Sequence, residues 1–371
     1  MIVPDLDGPG VRLRAFRPGD VDDLVAGYDD PVTRRFVPPV PSPFTRSAAE
    51  WYVRRGVPDV FAGGGAVYAV TDPWNDRLLG GVGLDRVVAG RRQAEIGYWV
   101  GPWARRRGVA TAAVRTLTGH ALSTGTERLE LLTHRENAAS QRVALAAGYR
   151  SEGVRRGALP GRDGTREDLV AYARLAGDPP GPTVRLLPDL PGGELSDGTV
   201  TLRPLTAGDT AFYAALHTLP DVVATTVPPV APSPEEVYRR CTWAEHHWLA
   251  GTKADLVITD TATGVPTGEI SLYYQEPATA QAMIGYSMLP AWRRRGHPTR
   301  ATQLLALWTF AETDIARLIA GALPTNKASQ KVLQKAGFHQ EAYLKSRLPG
   351  KTGRVDDIQY VLLPEDLLNQ T

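Results

Sequence analysis

The chain has 371 residues, enough for two domains that each bury a core. Its formal net charge of +2 gives no basic footprint, so we expect no nucleic-acid partner. Cys241 is the only cysteine, which excludes an internal disulfide and is typical of a reducing compartment such as the cytoplasm. No apolar run has membrane-spanning length and no secretory leader opens the sequence, so we expect a cytoplasmic protein without a membrane partner.

The first half of the chain predicts an alternation of strands and helices. We expect strands at 11–16, 66–70, 78–84, 94–100, 129–133 and 170–173, and helices at 20–28, 108–122 and 138–147. Gly148 follows the last helix as a C-terminal capping glycine. The predicted fold class is α+β, with a mixed, mostly antiparallel sheet flanked by helices.

The second half repeats this order. Three segments recur at an offset of 188 or 189 residues: 11–14 as 200–203, 102–108 as 290–296, and 137–143 as 326–332. This period has the length of a whole domain and is far longer than a solenoid repeat. We therefore predict tandem domains at 1–176 and 196–371, joined by a linker at 177–195 that is rich in proline and glycine.

The best candidate site is the junction between the strand at 94–100 and the helix that begins near Gly108. The first N–H groups of a helix lack intrahelical partners, and the helix dipole leaves about half a positive charge there. Gly108 allows close backbone approach, and Arg105, Arg106 and Arg107 add positive charge. Such a junction can hold a phosphate or pyrophosphate, although a solvated basic helix start gives the same pattern.

Two ordered motifs carry a family resemblance. The spacing Arg105-x-x-Gly108-x-Ala110 resembles the acetyl-CoA pyrophosphate motif of the GNAT acetyltransferases. Asn137-x-x-Ser140, followed by Gly148 and an aromatic residue, resembles the next helix of this superfamily. The ordered set resembles the RimJ/RimL branch, the ribosomal-protein N-terminal acetyltransferases, and it covers almost all of both copies.

The resemblance implies acetyl-CoA as the acyl donor. In the family the strand before the motif pairs with the pantetheine arm, the helix start holds the pyrophosphate, and the asparagine contacts the pantetheine amide. The cofactor-binding residues implied in this way are Tyr98, Trp99, Val100, Arg105, Arg106, Arg107, Gly108, Val109, Ala110, Thr111 and Asn137.

The resemblance also implies two catalytic residues. Glu95 would take the proton from the amine, because a carboxylate on an apolar strand has a raised pKa that suits a base. Ser140 would stabilise or protonate the departing thiolate. Glu95 as a charge on the solvent side of the strand and Ser140 as a helix-surface hydroxyl are the structural alternatives. The tyrosine that acts as general acid in other GNAT branches is absent, since residues 144–146 are Ala, Leu and Ala.

The two copies differ at this site. Met283 stands at the position of Glu95, and Pro298 stands at the position of Ala110. Proline lacks the N–H that a phosphate oxygen would accept from, although it is easily placed in a first helical turn. We therefore predict that the first domain is catalytic and the second degenerate.

Other polar residues give weaker signals. His134 and Glu136 could line the acceptor pocket or form a polar turn, and the hairpin residues Asp163, Glu167 and Asp168 could border the acceptor or serve the turn. His246 and His247 are adjacent and do not share a helix face, so we predict no metal site.

The sequence thus predicts an acetyl-CoA-dependent N-acetyltransferase. Its acceptor is a primary amine of a small molecule or of a peptide or protein N-terminus, which attacks the thioester directly. The alternatives are a non-catalytic acyl-CoA-binding sensor or scaffold, transfer of a longer acyl group, or an active site in the second copy. The expected state is a monomer whose paired domains imitate a dimer, or a homodimer.

Overall fold

The computed structural model describes residues 4–37, 43–161 and 164–368. The chain divides into two compact units, unit 1 at Met1–Val184 and unit 2 at Arg185–Thr371. The boundary between the units falls inside the stretch 177–195.

Unit 1 contains, over its described residues, one eight-stranded sheet. Its strands are β1 (Leu6–Gly8), β2 (Val11–Arg14), β3 (Ala66–Thr71), β4 (Leu78–Val88), β5 (Gln93–Val100), β6 (Arg128–Thr133), β7 (Arg150–Pro160) and β8 (Arg166–Leu175). They lie in the order β1-β2-β3-β4-β5-β6-β8-β7. β5 and β6 run parallel and the other neighbours run antiparallel, so the predicted mixed, mostly antiparallel sheet is confirmed.

Helices flank this sheet. They are α1 (Val21–Asp29), α2 (Pro31–Phe36), α3 (Arg46–Trp51), α4 (Val57–Ala62), α5 (Val109–Ser123) and α6 (Ala138–Ala146). α5 is the long helix, and its Val114 and Leu117 are fully buried, together with Leu129 of β6. Apolar residues at helical spacing therefore fix α5 to the sheet, as its sequence pattern predicts.

A buried ion pair sets where α1 begins. Arg14 at the end of β2 donates from Nη1 to Asp20 Oδ2 over 2.8 Å and from Nε to Asp76 Oδ1 over 2.7 Å. A buried charge needs such partners, so these bonds hold the start of α1 beside the strand. Unit 2 repeats the arrangement with Arg203 and Asp209, whose closest atoms are 2.6 Å apart.

Unit 2 has the same order of elements. Its strands are β9 (Leu195–Ser196), β10 (Val200–Pro204), β11 (Lys253–Asp260), β12 (Pro266–Glu276), β13 (Gln281–Met288), β14 (Arg317–Ala322), β15 (His339–Pro349) and β16 (Arg354–Leu362). Its helices are α7 (Thr210–His217), α8 (Pro220–Val223), α9 (Pro234–Thr242), α10 (Ala244–Leu249), α11 (His297–Glu312), α12 (Lys327–Lys335) and α13 (Pro364–Leu368). No helix within the three described ranges is long and apolar enough to cross a membrane.

The stretch 177–195 packs against both units in turn. Thr183 donates its backbone N–H to the carbonyl of Leu145 in unit 1 over 2.8 Å. Leu187 and Leu190 are buried in the core of unit 2. Residues at each end of this stretch are therefore packed into the unit to which they belong.

Candidate active site

β5 and β6 diverge after a short parallel start. Residues 93–95 of β5 pair with residues 128–130 of β6, and the register ends there. β5 then follows β4 to Val100, while β6 follows β8 to Thr133. An extended ligand that carries amide groups can pair with a strand edge exposed in such a gap. Tyr98, Trp99 and Val100, the predicted pantetheine partners, lie along this part of β5.

The turn between β5 and α5 forms a backbone cradle. Gly108 has φ of 76° and Arg106 has φ of 57°, both in the left-handed region, and α5 begins at Val109. The N–H of Ala112 makes the first bond back to the carbonyl of Gly108, at 3.0 Å. The N–H groups of residues 109–111 precede it and point out of the helix start, where an anion is stabilised.

The three arginines of this turn have different surroundings. Arg105 donates from Nε to the Val100 carbonyl over 3.1 Å, and its Nη2 donates to Thr33 Oγ1 over 2.9 Å and to the Asp30 carboxylate. Its guanidinium therefore ties the turn to α2. The side chains of Arg106 and Arg107 are exposed beside the cradle and remain candidates for a phosphate charge.

The helix α6 carries the predicted asparagine and serine. Asn137 is its N-cap, and its Oδ1 accepts from the Ser140 N–H over 3.2 Å. Ser140 is buried, and its Oγ accepts from the Tyr98 hydroxyl over 2.9 Å. Burial raises the pKa of Tyr98 to about 12, so the phenol stays protonated and donates. Strand alternation indicates that Tyr98 and Trp99 face opposite sides, but the contact with Ser140 is visible only in the fold.

Glu95 lies at the point where β5 and β6 separate. Its carboxylate accepts from Arg86 Nη1 over 2.8 Å, and its side chain is 23% exposed. Burial raises the pKa of Glu95, and the neighbouring Arg86 cation offsets this only in part. A half-buried carboxylate with a raised pKa, open to a cavity, can accept a proton from an amine.

A second candidate base, His134, is also in the cavity lining. His134 Nε2 is 2.7 Å from Glu167 Oε2, and the imidazole packs against the Phe36 ring at a centroid distance of 5.6 Å. Glu136 instead pairs with Arg35 of α2. Asp168 accepts from the Gly157 N–H over 2.8 Å and supports the hairpin, whereas Asp163 lies outside the described residues. The sequence offered the histidine and glutamate separately, and the fold brings them together.

A cavity of about 770 Å³ joins these elements. It runs from the cradle past Ser140 and Glu95 to the helices α1, α2 and α4. Its lining includes the cradle residues Arg105, Arg106, Gly108, Val109, Ala110 and Thr111, the residues Glu95, Tyr98, Trp99, Val100, His134, Asn137 and Ser140, and the aromatic residues Tyr28, Phe36 and Tyr52. Arg107 lies beside this lining on the same turn.

Comparison with known proteins identifies this combination of elements. Residues 11–150 and 199–339 each match the acetyltransferase (GNAT) domain. The chain belongs to the GNAT family. Because both halves match, it is a tandem GNAT protein.

Its curated relatives are matched over short segments. The chain is similar to the probable N-acetyltransferase YjcK of Bacillus subtilis (strain 168), with 39% identity over 75 residues, 20% of this chain and 41% of that protein. It is also similar to the uncharacterized N-acetyltransferase YnaD of the same strain, with 29% identity over 83 residues, 22% of this chain and 49% of that protein. The chain spans about half the length of these relatives or less.

Two solved structures from other bacteria are similar to about half of this chain. Mycobacterium smegmatis RimJ, in complex with CoA-disulfide, has a TM-score of 0.41 and 21% identity, over 47% of this chain and 88% of that one. The ribosomal-protein-S5-alanine acetyltransferase from Vibrio fischeri has a TM-score of 0.42 and 19% identity, over 47% of this chain and 98% of that one.

The second GNAT domain keeps the cradle backbone with altered donors. Gly296 has φ of 84° and Arg294 has φ of 62°, and α11 begins at His297. Pro298 occupies the second helical position, so one N–H of the first turn is missing. Ser329 keeps its contact with the Tyr286 hydroxyl, at 2.9 Å.

The second GNAT domain also has a polar cluster beside the sheet where unit 1 has its cavity. Asp255 Oδ1 is 2.9 Å from both Arg240 Nη2 and Lys253 Nζ, and it accepts from Ser271 Oγ over 2.6 Å. Glu269 Oε2 lies 3.1 Å from the same serine Oγ. The strand registers place Asp255 at the position of Val67 and Glu269 at that of Gly81. Charged side chains therefore occupy positions that line the cavity in unit 1.

Proposed function

We propose that unit 1 is an acetyl-CoA-dependent N-acetyltransferase that acts on a primary amine. The observation that carries this proposal is the cavity that joins the cradle at 108–111 to Glu95 and Ser140. The two ends supply the two parts of the chemistry, an anion site for the pyrophosphate and a base for the amine. The diverging edge of β5 lies between them and fits an amide-bearing pantetheine arm.

The cradle and its neighbours hold the donor. The N–H groups of residues 109–111 and the cations of Arg106 and Arg107 neutralise the pyrophosphate. Asn137 uses Oδ1 as a helix cap, which leaves its amide N–H₂ to donate to the pantetheine. When bound, acetyl-CoA supplies a thioester whose carbonyl carbon is the electrophile.

The proton transfers fall to Glu95 and Ser140. The amine nitrogen attacks the thioester carbonyl, a C–N bond forms, the C–S bond breaks, and the amine proton passes to Glu95 directly or through water. Since the Tyr98 hydroxyl donates to Ser140 Oγ, the serine proton is available for the departing sulfur. His134, paired with Glu167, is the alternative proton acceptor in the same cavity.

We further propose that unit 2 does not carry out this reaction. Met283 cannot accept a proton, Pro298 removes a donor, and the charged residues Asp255 and Glu269 occupy positions that line the cavity in unit 1. Unit 2 would then support the fold, with a weakened donor site.

The test exchanges one residue between the two cradles. Ala110→Pro places in α5 the residue that α11 already carries at its second position, so we expect the helix to remain folded. The lost charge-assisted hydrogen bond should weaken acetyl-CoA binding about tenfold to a hundredfold. Pro298→Ala is the matched control and should leave binding to unit 1 unchanged.

Isothermal titration gives the affinity and the number of sites, and release of free thiol in the presence of an amine gives turnover. Two equal sites in the wild-type protein, or an Ala110→Pro variant with unchanged affinity, would contradict the assignment to unit 1. Binding without turnover of any amine would favour an acyl-CoA sensor instead.

A further inference from the structure

The acceptor end of the cavity follows one face of β5. Alternation along a strand places Glu95, Gly97 and Trp99 on the same face. A Cβ atom added to Gly97 would meet nothing within 4 Å, so open space lies directly over this glycine. Glu95 and Trp99 are four steps apart along the extended strand, roughly 13 Å. A ligand whose amine lies at Glu95 would therefore extend over Gly97 towards Trp99.

Trp99 forms an aromatic end to this path. Its indole lies against two glycines, since a Cβ atom on Gly27 or on Gly81 would come within 2.3 Å or 2.6 Å of it. The Tyr28 ring packs against it at a centroid distance of 4.8 Å and an interplanar angle of 42°. These two glycines leave the room that the indole needs, and the indole is buried.

The side chains around this end are apolar or aromatic. Tyr52, Val60 and Val67 line the cavity with Tyr28 and Trp99. Arg105 also reaches the lining, but its charge is matched by Asp30. A second ammonium group placed here would lose its hydration without gaining a partner, which is costly.

In unit 2 the matching positions carry polar or charged side chains. His217 stands for Tyr28, Arg240 for Tyr52, Glu269 for Gly81 and Ser287 for Trp99. Gly285 takes the place of Gly97 in unit 2. A Cβ atom added to Gly285 would contact the Tyr273 ring at 3.9 Å. The large aromatic residue and its backing glycines thus occur together in unit 1 and are replaced together in unit 2.

From these contacts we infer that the acceptor of unit 1 is a primary amine joined by a short carbon spacer to an aromatic or bulky apolar group, with no second charge. The inference rests on the proposed function and deepens it. This chemistry has two sources, a free arylalkylamine or a peptide whose N-terminal residue is aromatic. A polyamine, with several ammonium groups, does not fit it.

The test compares amines on the full chain with saturating acetyl-CoA. We expect 3-phenylpropylamine and tryptamine to give kcat/KM values at least about tenfold above spermidine. A comparison of Phe-Gly-Gly amide with Ala-Gly-Gly amide tests the peptide source, and turnover of the two arylalkylamines tests the free-amine source. Comparable rates for spermidine, or a preference for the alanine peptide with no turnover of either arylalkylamine, would overturn the inference and leave acetyl transfer itself intact.

A variant tests the path over Gly97. Gly97→Val fills open space on a strand, where valine is well tolerated, so the fold should persist. It should lower kcat/KM for 3-phenylpropylamine at least about tenfold while acetyl-CoA affinity stays the same. Gly285→Ala is the matched control in unit 2 and should change neither quantity. If Gly97→Val lowers kcat/KM equally for all amines, spermidine included, the path over Gly97 is not selective for apolar groups and the inference is contradicted.

Direct binding separates the two proposals. Calorimetric titration of 3-phenylpropylamine into the CoA-loaded protein should show binding that Gly97→Val abolishes. If this binding is seen but no amine is acetylated, the acceptor-site chemistry stands and the proposed reaction fails. If neither an arylalkylamine nor Phe-Gly-Gly amide binds, the inference fails whatever the protein does with other amines.

Discussion

At the scale of single residues, one difference between the two domains lies on β5 and β13. Glu95 and Met283 occupy the same strand position, opposite Asp85 and Tyr273 in their registers. One side chain can accept a proton and the other cannot. The two units therefore share the strand backbone at this position and differ in a side chain that accepts protons.

The pH dependence of turnover tests Glu95 as the base. Only the carboxylate accepts a proton, so kcat should fall as the pH drops below the pKa of Glu95, which burial holds above its ordinary value. The Arg86 cation favours the carboxylate, so Arg86→Ala should raise this pKa further and move the acidic limb of the profile to higher pH. Glu95→Gln should lower kcat by about 10² to 10⁴ and remove the limb.

Two controls accompany this profile, measured as kcat against pH with one amine acceptor. Met283→Gln changes the matching position in unit 2 and should leave the pH profile unchanged. His134→Gln should retain the acidic limb. If the limb disappears with His134 and survives in Glu95→Gln, the base is the histidine paired with Glu167.

At the scale of elements, the sequence predicts the donor side of the site and leaves the acceptor side open. The segment from β5 to α6 has strong strand and helix periodicity, and its motifs lie at the ends of those elements. The helices α2, α3 and α4 have six residues each, too short for a clear period. The sequence features that indicate where two of them begin are the N-cap residues, Asp30 for α2 and Thr45 for α3.

The acceptor wall depends on packing between distant segments. This wall takes Tyr28 from α1, Tyr52 from the segment between α3 and α4, Val67 from β3 and Trp99 from β5. These side chains meet only once α1–α4 lie on the sheet. No pairwise spacing in the sequence encodes that meeting. The contact between Tyr98 and Ser140 is of the same kind, because it links a strand to a helix that is 42 residues away.

The tie between α2 and the cradle turn gives a prediction at this scale. Asp30 caps α2 by accepting from the Thr33 N–H over 2.9 Å, and it also pairs with Arg105. Asp30→Ala should cost about 1–2 kcal/mol of stability through the lost cap and raise the KM for the amine, since α2 carries Phe36 onto the cavity. Asp29→Ala removes an exposed pair with Arg34 and should have little effect.

Urea unfolding gives the stability change and steady-state kinetics give the KM of the amine. Loss of stability with an unchanged KM would show that α2 supports the fold without shaping the acceptor site.

At the scale of the whole molecule, the duplication separates what the fold requires from what the chemistry requires. Both units keep the buried arginine–aspartate pair, the left-handed glycine before the long helix, the asparagine cap and the tyrosine–serine contact. Features present in both units accompany the shared fold. Features present only in unit 1, namely Glu95, His134, the free N–H at Ala110 and the apolar acceptor wall, are those that the proposed reaction needs.

This separation predicts where a ligand will act in the intact chain. Acetyl-CoA should slow amide hydrogen exchange in β5 and the first turn of α5, because the bound donor stabilises those segments against local opening. At about one hundred times the dissociation constant, the ligand adds about 2.7 kcal/mol to the stability of the domain that binds it. The matching segments of unit 2, β13 and the first turn of α11, should exchange at their original rates.

Hydrogen exchange read by mass spectrometry resolves the two sets of peptides, and in Ala110→Pro the protection of unit 1 should require more ligand. Equal protection of α5 and α11 would mean that the proline at the second position of α11 does not weaken the donor site, and the division of roles between the two units would then rest on Met283 and the polar cluster alone.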